Sequence, residues 1–286
     1  MASQGIKVKF WGARGSIATP GKSTLKYGGN TACVEVDCGA AGCFIFDAGT
    51  GIRLLGDDIC ANGRGCSRIV ILLSHFHWDH IQGLLFFQPL YTPGMTIEFW
   101  CPEGNGIPLP EVLDSQMRRP FFPIDRSKML ATHSFTATQP GRTEPGGGVT
   151  LTACRVRHSG TVLAYRLEYQ GRSVVYATDR EPDEANARQP LAGELVRLAS
   201  GADLLIHDAQ YTDDEYQELR RGWGHSPYNE ALRVARKAGV KRLALFHHDP
   251  AYDDRKLTVY ERQLKGLAAG DGLDLFFAAE GMKLVL

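Results

Sequence analysis

The sequence predicts an α/β fold, a four-layer αββα sandwich in which two mixed β-sheets face each other and helices cover the outside. Three observations point there. Apolar residues make up 43% of the 286 positions, ample for a packed core. Strand-like runs come first and later alternate twice with helical patterns, and both kinds of segment must bury a face. No repeat or linker interrupts the order, so residues 1–286 are expected to form one domain.

Apolar runs mark strands at 6–11 (IKVKFW), 32–37 (ACVEVD), 43–47 (CFIFD) and 69–73 (IVILL). Helical patterns fit 50–60 (TGIRLLGDDIC) and 80–88. After a strand at 96–100, the Pro- and Gly-rich stretches 101–110 (CPEGNGIPLP) and 139–148 (QPGRTEPGGG) read as loops bounding an insertion at about 101–148, with a helix at 109–118 inside it. Strands are expected at 149–157, 161–169 and 172–178, a helix at 190–199, and a strand at 203–207 (DLLIH). Helices at 212–220 and 226–238, a strand at 241–246 (KRLALF), a helix at 253–268 and strands at 274–277 and 282–286 complete the chain.

Lys plus Arg and Asp plus Glu both total 32, so nothing in the bulk charge recruits a polyanion, and a nucleic-acid partner is disfavoured. The seven cysteines are odd in number and include no C-x-x-C pair, which indicates free thiols rather than a disulfide framework or a zinc ribbon. The N-terminus lacks the apolar core of a signal peptide, and no apolar run reaches the length of a membrane span. A cytoplasmic location is expected.

The densest chemistry lies at 74–80 (SHFHWDH), where His75, His77, Asp79 and His80 crowd together in a chain with nine histidines. Imidazole nitrogen and carboxylate oxygen together suit Zn²⁺, Mn²⁺ or Fe²⁺, whereas Ca²⁺ takes oxygen alone. Packing such groups without a cation costs desolvation and mutual repulsion. In an extended segment after the strand at 69–73, His75, His77 and Asp79 are expected to project the same way. Other candidates end other strands: His158 after LTACRVR, Asp179 after SVVYAT and His247 after RLALF. Any one alone would more often be a capping or core polar residue. With the cluster they make seven donors, enough for two metals sharing a bridge. His248 competes with His247 for the last place.

This pattern of H-x-H-x-D-H followed by a distant His, Asp and His, with the "GARGS" and "DAGTG" turns, resembles the metallo-β-lactamase superfamily over nearly the whole chain. The resemblance implies that His75, His77 and His158 hold one metal, that Asp79, His80 and His247 hold the other, and that Asp179 bridges them. The cofactors implied are two divalent ions, zinc first, with manganese or iron as alternatives. It also favours His247 over His248, because His247 stands three residues before Pro250, as in the family's H-x-x-P pattern. The stretches "LLIHDAQY" (204–211) and "GHSPYNEA" (224–231) resemble motifs of the phosphodiesterase branch, which contains RNase Z and the cyclic-nucleotide phosphodiesterases. There His225 would stabilise the developing phosphorane charge or protonate the leaving oxygen. Asp208, one methylene shorter than the family's Glu, would orient its ring. Asp79, His225 and Asp208 are thus the expected catalytic residues.

The function implied is hydrolysis of a small phosphodiester, such as a cyclic nucleotide, with a homodimer also implied. A thioester or lactam hydrolase and a non-catalytic metal or nucleotide sensor are the alternatives. RNase Z-type tRNA processing is disfavoured by the zero net charge and by the lack of a lysine-rich arm. A redox diiron role is disfavoured because His77 stands where the diiron enzymes of the superfamily carry a Glu. Arg14 and Asn30, in Gly-rich turns, are expected either to bind a substrate phosphate or sugar or to serve turn geometry alone. Trp78 and "RRPFFPIDR" (118–126) are read as stacking groups or a lid, or as core packing or a dimer contact. His207 is expected in the core, and His133 in a polar loop without chemistry.

Overall fold

The computed structural model describes residues 5–62, 68–103, 107–182 and 193–286. One seven-stranded sheet has the order β14 (Lys283–Val285), β1 (Lys7–Gly12), β2 (Cys33–Asp37), β3 (Cys43–Phe46), β4 (Arg68–Leu72), β5 (Thr96–Pro102), β6 (Thr132–Thr138). The other has the order β13 (Asp274–Phe277), β12 (Arg242–Phe246), β11 (Leu204–Asp208), β10 (Arg172–Ala177), β9 (Val162–Tyr169), β8 (Val149–Val156), β7 (Gly141–Gly146). Both sheets are mixed. In the first, β1 to β3 are antiparallel and β3 to β6 parallel. In the second, β7 to β10 are antiparallel and β10 to β13 parallel. The helices are α1 (Ile52–Asn62), α2 (Trp78–Ile81), α3 (Leu109–Gln116), α4 (Glu194–Leu198), α5 (Asp213–Glu215), α6 (Tyr228–Ala238) and α7 (Asp254–Ala269).

The period of two along each strand distributes its side chains between two cores. Phe44, Phe46, Val70 and Leu72 enter the space between the sheets, while Ile45, Ile69 and Ile71 face outward and pack with Ile52 and Leu55 of α1 and Leu113 of α3. Phe46 stacks on Tyr176 of the facing sheet at 4.9 Å. On the other outer face Leu205, Leu243 and Leu245 pack against Leu232 of α6 and Leu257 and Leu264 of α7. Strands covered on both faces have no polar side to show, which is why "IVILL" and "RLALF" read as unbroken apolar runs.

Four local expectations change. The helix expected at 80–88 is only the short α2, followed by 3₁₀ turns at Leu84–Phe86 and Gln88–Tyr91. Phe87 takes an extended backbone (φ −82°, ψ 97°), and Pro89 lacks the N–H that a helix interior needs. The polar stretch around His133 is not a loop but β6, and the Gly-rich 139–148 contains β7. Both are sheet edges, so neither needs the apolar alternation that marks a half-buried strand. The segment 101–148 thus supplies one edge to each sheet. The helix at 212–220 becomes the single turn α5, followed by a wide π turn at Tyr216–Arg220. Of the helix expected at 190–199, α4 is seen and the first residues lie outside the described ones. Among the described residues no helix is long and apolar enough to cross a membrane.

The parallel halves decide where chemistry gathers. The carboxyl ends of β3, β4, β10, β11 and β12 converge on one rim of the sandwich, where open α/β sheets bind their ligands.

Candidate metal centre

The turn after β4 splits the H-x-H-x-D-H cluster in two. His75 and His77 lie in the connection after β4 ends at Leu72, with His77 extended (ψ 152°), and Trp78 then starts α2. Asp79 and His80 therefore project from a helical turn, and Asp79 does not line up with His75 and His77 as an extended segment would require. The consequence is two groups of donors. His75, His77, His158 and Asp179 offer atoms within 4.8 Å of one another, and so do Asp79, His80 and His247.

Asp179 stands between the groups. Its Oδ2 lies 3.6 Å from His75 Nε2 and 3.7 Å from His158 Nε2, while its Oδ1 lies 3.1 Å from His80 Nε2 and 3.2 Å from His247 Nε2. Asp79 Oδ2 lies 3.2 Å from His80 Nε2 and 3.1 Å from His247 Nε2. Asp47, Asp179 and His247 have φ of 57°, 48° and 63°, and non-glycine residues in this region are sparsely populated and cluster at functional sites. All seven donors expected from the sequence are brought together.

The chemistry of this donor set fits divalent cations. The Nε2 atoms of His75 and His80 are buried without a well-aligned hydrogen-bond partner and face Asp179 oxygens at 3.6 and 3.1 Å. Asp47, Asp79, Asp179 and Asp208 are all buried, a concentration of negative charge that is costly unless compensated. Burial pushes His75, His77 and His158 down, toward the neutral imidazole that a metal requires. His80 goes the other way: burial opposes its charge, but Asp179, Asp79 and Asp47 outweigh burial and push it up. For His225 burial is likewise outweighed, by Asp208, Asp179 and Asp79, and the group is pushed up to about 9. Both upward shifts measure an excess of negative charge that a divalent ion would neutralise.

An outer layer orients the donors. Asp47, fully buried, accepts from His80 Nδ1 at 2.7 Å, Ser74 N at 2.7 Å, Ser74 Oγ at 2.8 Å and Tyr176 OH at 2.7 Å. This is the carboxylate-to-imidazole support that fixes which nitrogen of a ligand faces the ion. The sequence reading placed Asp47 only in a turn; the available signal was a lone carboxylate closing the apolar run "CFIF". The His158 ring is held by the Gly224 carbonyl at 2.8 Å from Nδ1, and the Ser16 amide donates to Asp79 Oδ2 at 2.7 Å.

Asp208 and His225 form a separate pair beside the donors. Asp208, fully buried at the end of β11, receives the amides of Arg180 at 3.1 Å and Ser226 at 2.9 Å, and its Oδ2 lies 3.3 Å from His225 Nδ1. The same Nδ1 is 4.0 Å from Asp179 Oδ2, so Asp179, His225 and His247 make a third possible donor group. At 3.3 Å Asp208 is the nearer carboxylate to that nitrogen, and an Nδ1–H shared with it would leave no lone pair for a cation. His225 thus remains outside the seven donors, with its ring stacked on His247 at 4.9 Å.

His248 is turned away: its Nε2 pairs with the Ala278 carbonyl at 2.8 Å, its ring stacks on Phe277, and burial pushes it down to about 3. His207 is a core residue whose Nδ1 meets the Asp208 carbonyl at 2.6 Å. Arg14 faces the interior. It is fully buried and ties loops together, donating from Nε to Gly28 O at 2.8 Å and from Nη1 to Asp249 O at 3.1 Å and Tyr252 O at 2.5 Å. Asn30 is likewise engaged with Glu280, through its amide and through Nδ2 at 3.1 Å. These contacts support the turn-geometry reading of both. Trp78 is 65% exposed beside His77, and within 118–126 Phe122 packs edge-on against Phe86 while Phe121 is exposed.

Comparison with known proteins agrees with this architecture. The chain matches the Beta-lactamase superfamily domain over residues 44–248, a span that contains all seven donors, and it belongs to that superfamily. Ribonuclease Z of Thermoplasma acidophilum is 26% identical over 296 residues, covering 89% of each chain. Ribonuclease Z of Brevibacillus brevis is 42% identical over a shorter stretch of 84 residues, 29% of this chain and 23% of that protein. Among solved structures, the metallo-beta-lactamase fold protein YhfI of Bacillus subtilis superposes with a TM-score of 0.69 at 19% identity, covering 98% of this chain and 99% of the other. A diphosphatase from the PhnP family superposes with a TM-score of 0.68 at 19% identity, covering 98% of each. Zn(2+)-bound PqqB from Methylobacterium extorquens superposes with a TM-score of 0.67 at 17% identity, covering 98% of this chain and 100% of the other. At these identities the structural likenesses establish the fold.

Proposed function

We propose that this protein is a metal-dependent hydrolase of phosphodiesters, with His75, His77 and His158 on one divalent ion, Asp79, His80 and His247 on a second, and Asp179 shared. The observation that carries the phosphodiester reading is the His225 and Asp208 pair. It is not needed to hold metal, yet it stands 4.0 Å from the shared carboxylate. Bound divalent ions supply Lewis acidity toward phosphoryl oxygens and toward water. His225, with Nδ1 3.3 Å from Asp208 Oδ2, would give a proton from Nε2 to the leaving oxygen. Asp208 positions that ring and cannot be displaced without stranding the amides of Arg180 and Ser226. Asp79, oriented by the Ser16 amide, directs the attacking water. Zinc is the first choice of metal, in keeping with imidazole-rich donors and with the zinc of the PqqB neighbour.

The relatives named Ribonuclease Z support phosphodiester chemistry and raise RNA as a second substrate class. The zero net charge favours a small diester. Protein reconstituted with Zn²⁺ or Mn²⁺ should hydrolyse bis(p-nitrophenyl) phosphate, and His225→Ala should lose about 10²- to 10⁴-fold in kcat while keeping both metals. A protein carrying two metals that turns over thioesters or lactams but no diester, or a His225→Ala variant with full activity, would overturn the reading. Cleavage of a tRNA precursor in preference to small diesters would select RNA.

A further inference from the structure

Beside the metal centre, one aromatic ring away from His225, stands a cation for which the proposed chemistry has no use. Arg220 ends the π turn Tyr216–Arg220, five residues before His225. Its guanidinium carbon lies 4.3 Å from the centre of the Trp223 ring and 5.8 Å from that of Tyr211, and the Tyr211 ring meets His225 edge-on at 5.9 Å. Arg220 therefore stands one aromatic ring beyond the proton donor. Trp223 is 59% exposed, so this is an open rim rather than a core.

Nearby arginines are engaged. Arg221 donates to Gln217, and Arg180 and Arg233 both pair with Glu230. Arg220 makes no ion pair among the described residues. The segment that carries it is nonetheless fixed: Glu181 accepts from Tyr216 OH at 3.1 Å and from the Gly222 amide, and Gly224 holds His158. A guanidinium lying on aromatic faces leaves its edge N–H groups pointing outward, which suits two-point binding of a phosphate.

We propose that Arg220, seated on Trp223 and Tyr211, forms a second anion subsite, and that the substrate is a phosphodiester bearing a further, non-reacting phosphate monoester. The identity of the reacting group rests on the phosphodiesterase reading; the subsite does not. A contact equally strong in the ground and transition states, as expected for a phosphate that does not react, lowers KM without raising kcat.

The zinc-reconstituted protein should be assayed with adenosine 2′,3′-cyclic phosphate and with the same compound carrying a 5′-phosphate. The 5′-phosphorylated substrate should be favoured by about tenfold or more in kcat/KM, and Arg220→Met should erase that preference through KM while leaving the plain cyclic phosphate within about twofold. Equal losses on both substrates, or no preference in the parent, would overturn the subsite. Calorimetric titration with adenosine 3′,5′-bisphosphate and adenosine 3′-phosphate separates the two ideas. A bisphosphate advantage that disappears in Arg220→Met supports the subsite even if neither cyclic phosphate is hydrolysed, an outcome that would count against the phosphodiesterase reading alone. Equal binding of the two nucleotides by the parent would overturn the subsite whatever the turnover.

Discussion

Replacing Asp47 by Asn alters one atom inside a cage of donors. Ser74 Oγ, His80 Nδ1 and Tyr176 OH converge on Oδ2, and the Ser74 amide on Oδ1. An asparagine can present its single carbonyl oxygen to only one of these sides, so its NH₂ must face at least one N–H. The mildest outcome leaves a buried donor unsatisfied, which costs about 1–3 kcal/mol of stability. The bond to His80 also loses its charge assistance, and such bonds are roughly twice as strong as neutral ones. Loss of an outer-layer partner of this type lowers metal affinity by about 10- to 100-fold, or about 1.4–2.7 kcal/mol. The affected ion should be the one at Asp79, His80 and His247, because Asp47 touches His80 directly. Titration against a competing chelator, resolving the two equivalents and paired with a thermal melt, measures both effects. An Asp47→Asn protein that melts lower but binds both equivalents within about twofold of the parent would refute the reasoning, since Asp47 would then serve the fold alone.

Three further substitutions probe the same centre. A Cβ on Gly224 would stand 2.5 Å from His158 Cε1, and Gly224 has φ +89°; Gly224→Ala should therefore cost about 1–2 kcal/mol in backbone strain alone and weaken the ion held by His75, His77 and His158, as read by metal content after dialysis. His248→Gln should lower Tm by the loss of its bond to Ala278 yet keep two metals, whereas His247→Gln should lose one equivalent; the reverse pattern would exchange their roles.

Much of the candidate site was legible in the chain because a metal needs particular side chains, and their spacing survives as pattern. Seven donors could be picked out by type and by position at strand ends, and Asp208 and His225 by resemblance. Their partition was less visible: Asp79 left the line of His75 and His77 because α2 begins at Trp78, a boundary set by packing of the 78–91 segment on the first sheet. Asp47 was harder to read, since its role depends on Ser74, His80 and Tyr176, the last on the opposite sheet.

By itself the sequence determined the fold class, the strands of both sheet interiors and the set of candidate metal donors, because continuous apolar runs and clustered donors are local properties. Tertiary structure alone decided the rest. It made edge strands of 132–138 and 141–146, whose polar composition carries no period, by giving them neighbours to pair with. It turned Arg14 inward, because the carbonyls of Gly28, Asp249 and Tyr252 meet only when β1 and the loop after β12 are brought side by side. It also set His248 apart from the donors that the sequence pattern had favoured: the Ala278 carbonyl claims its Nε2, while His247 Nε2 faces Asp79 and Asp179.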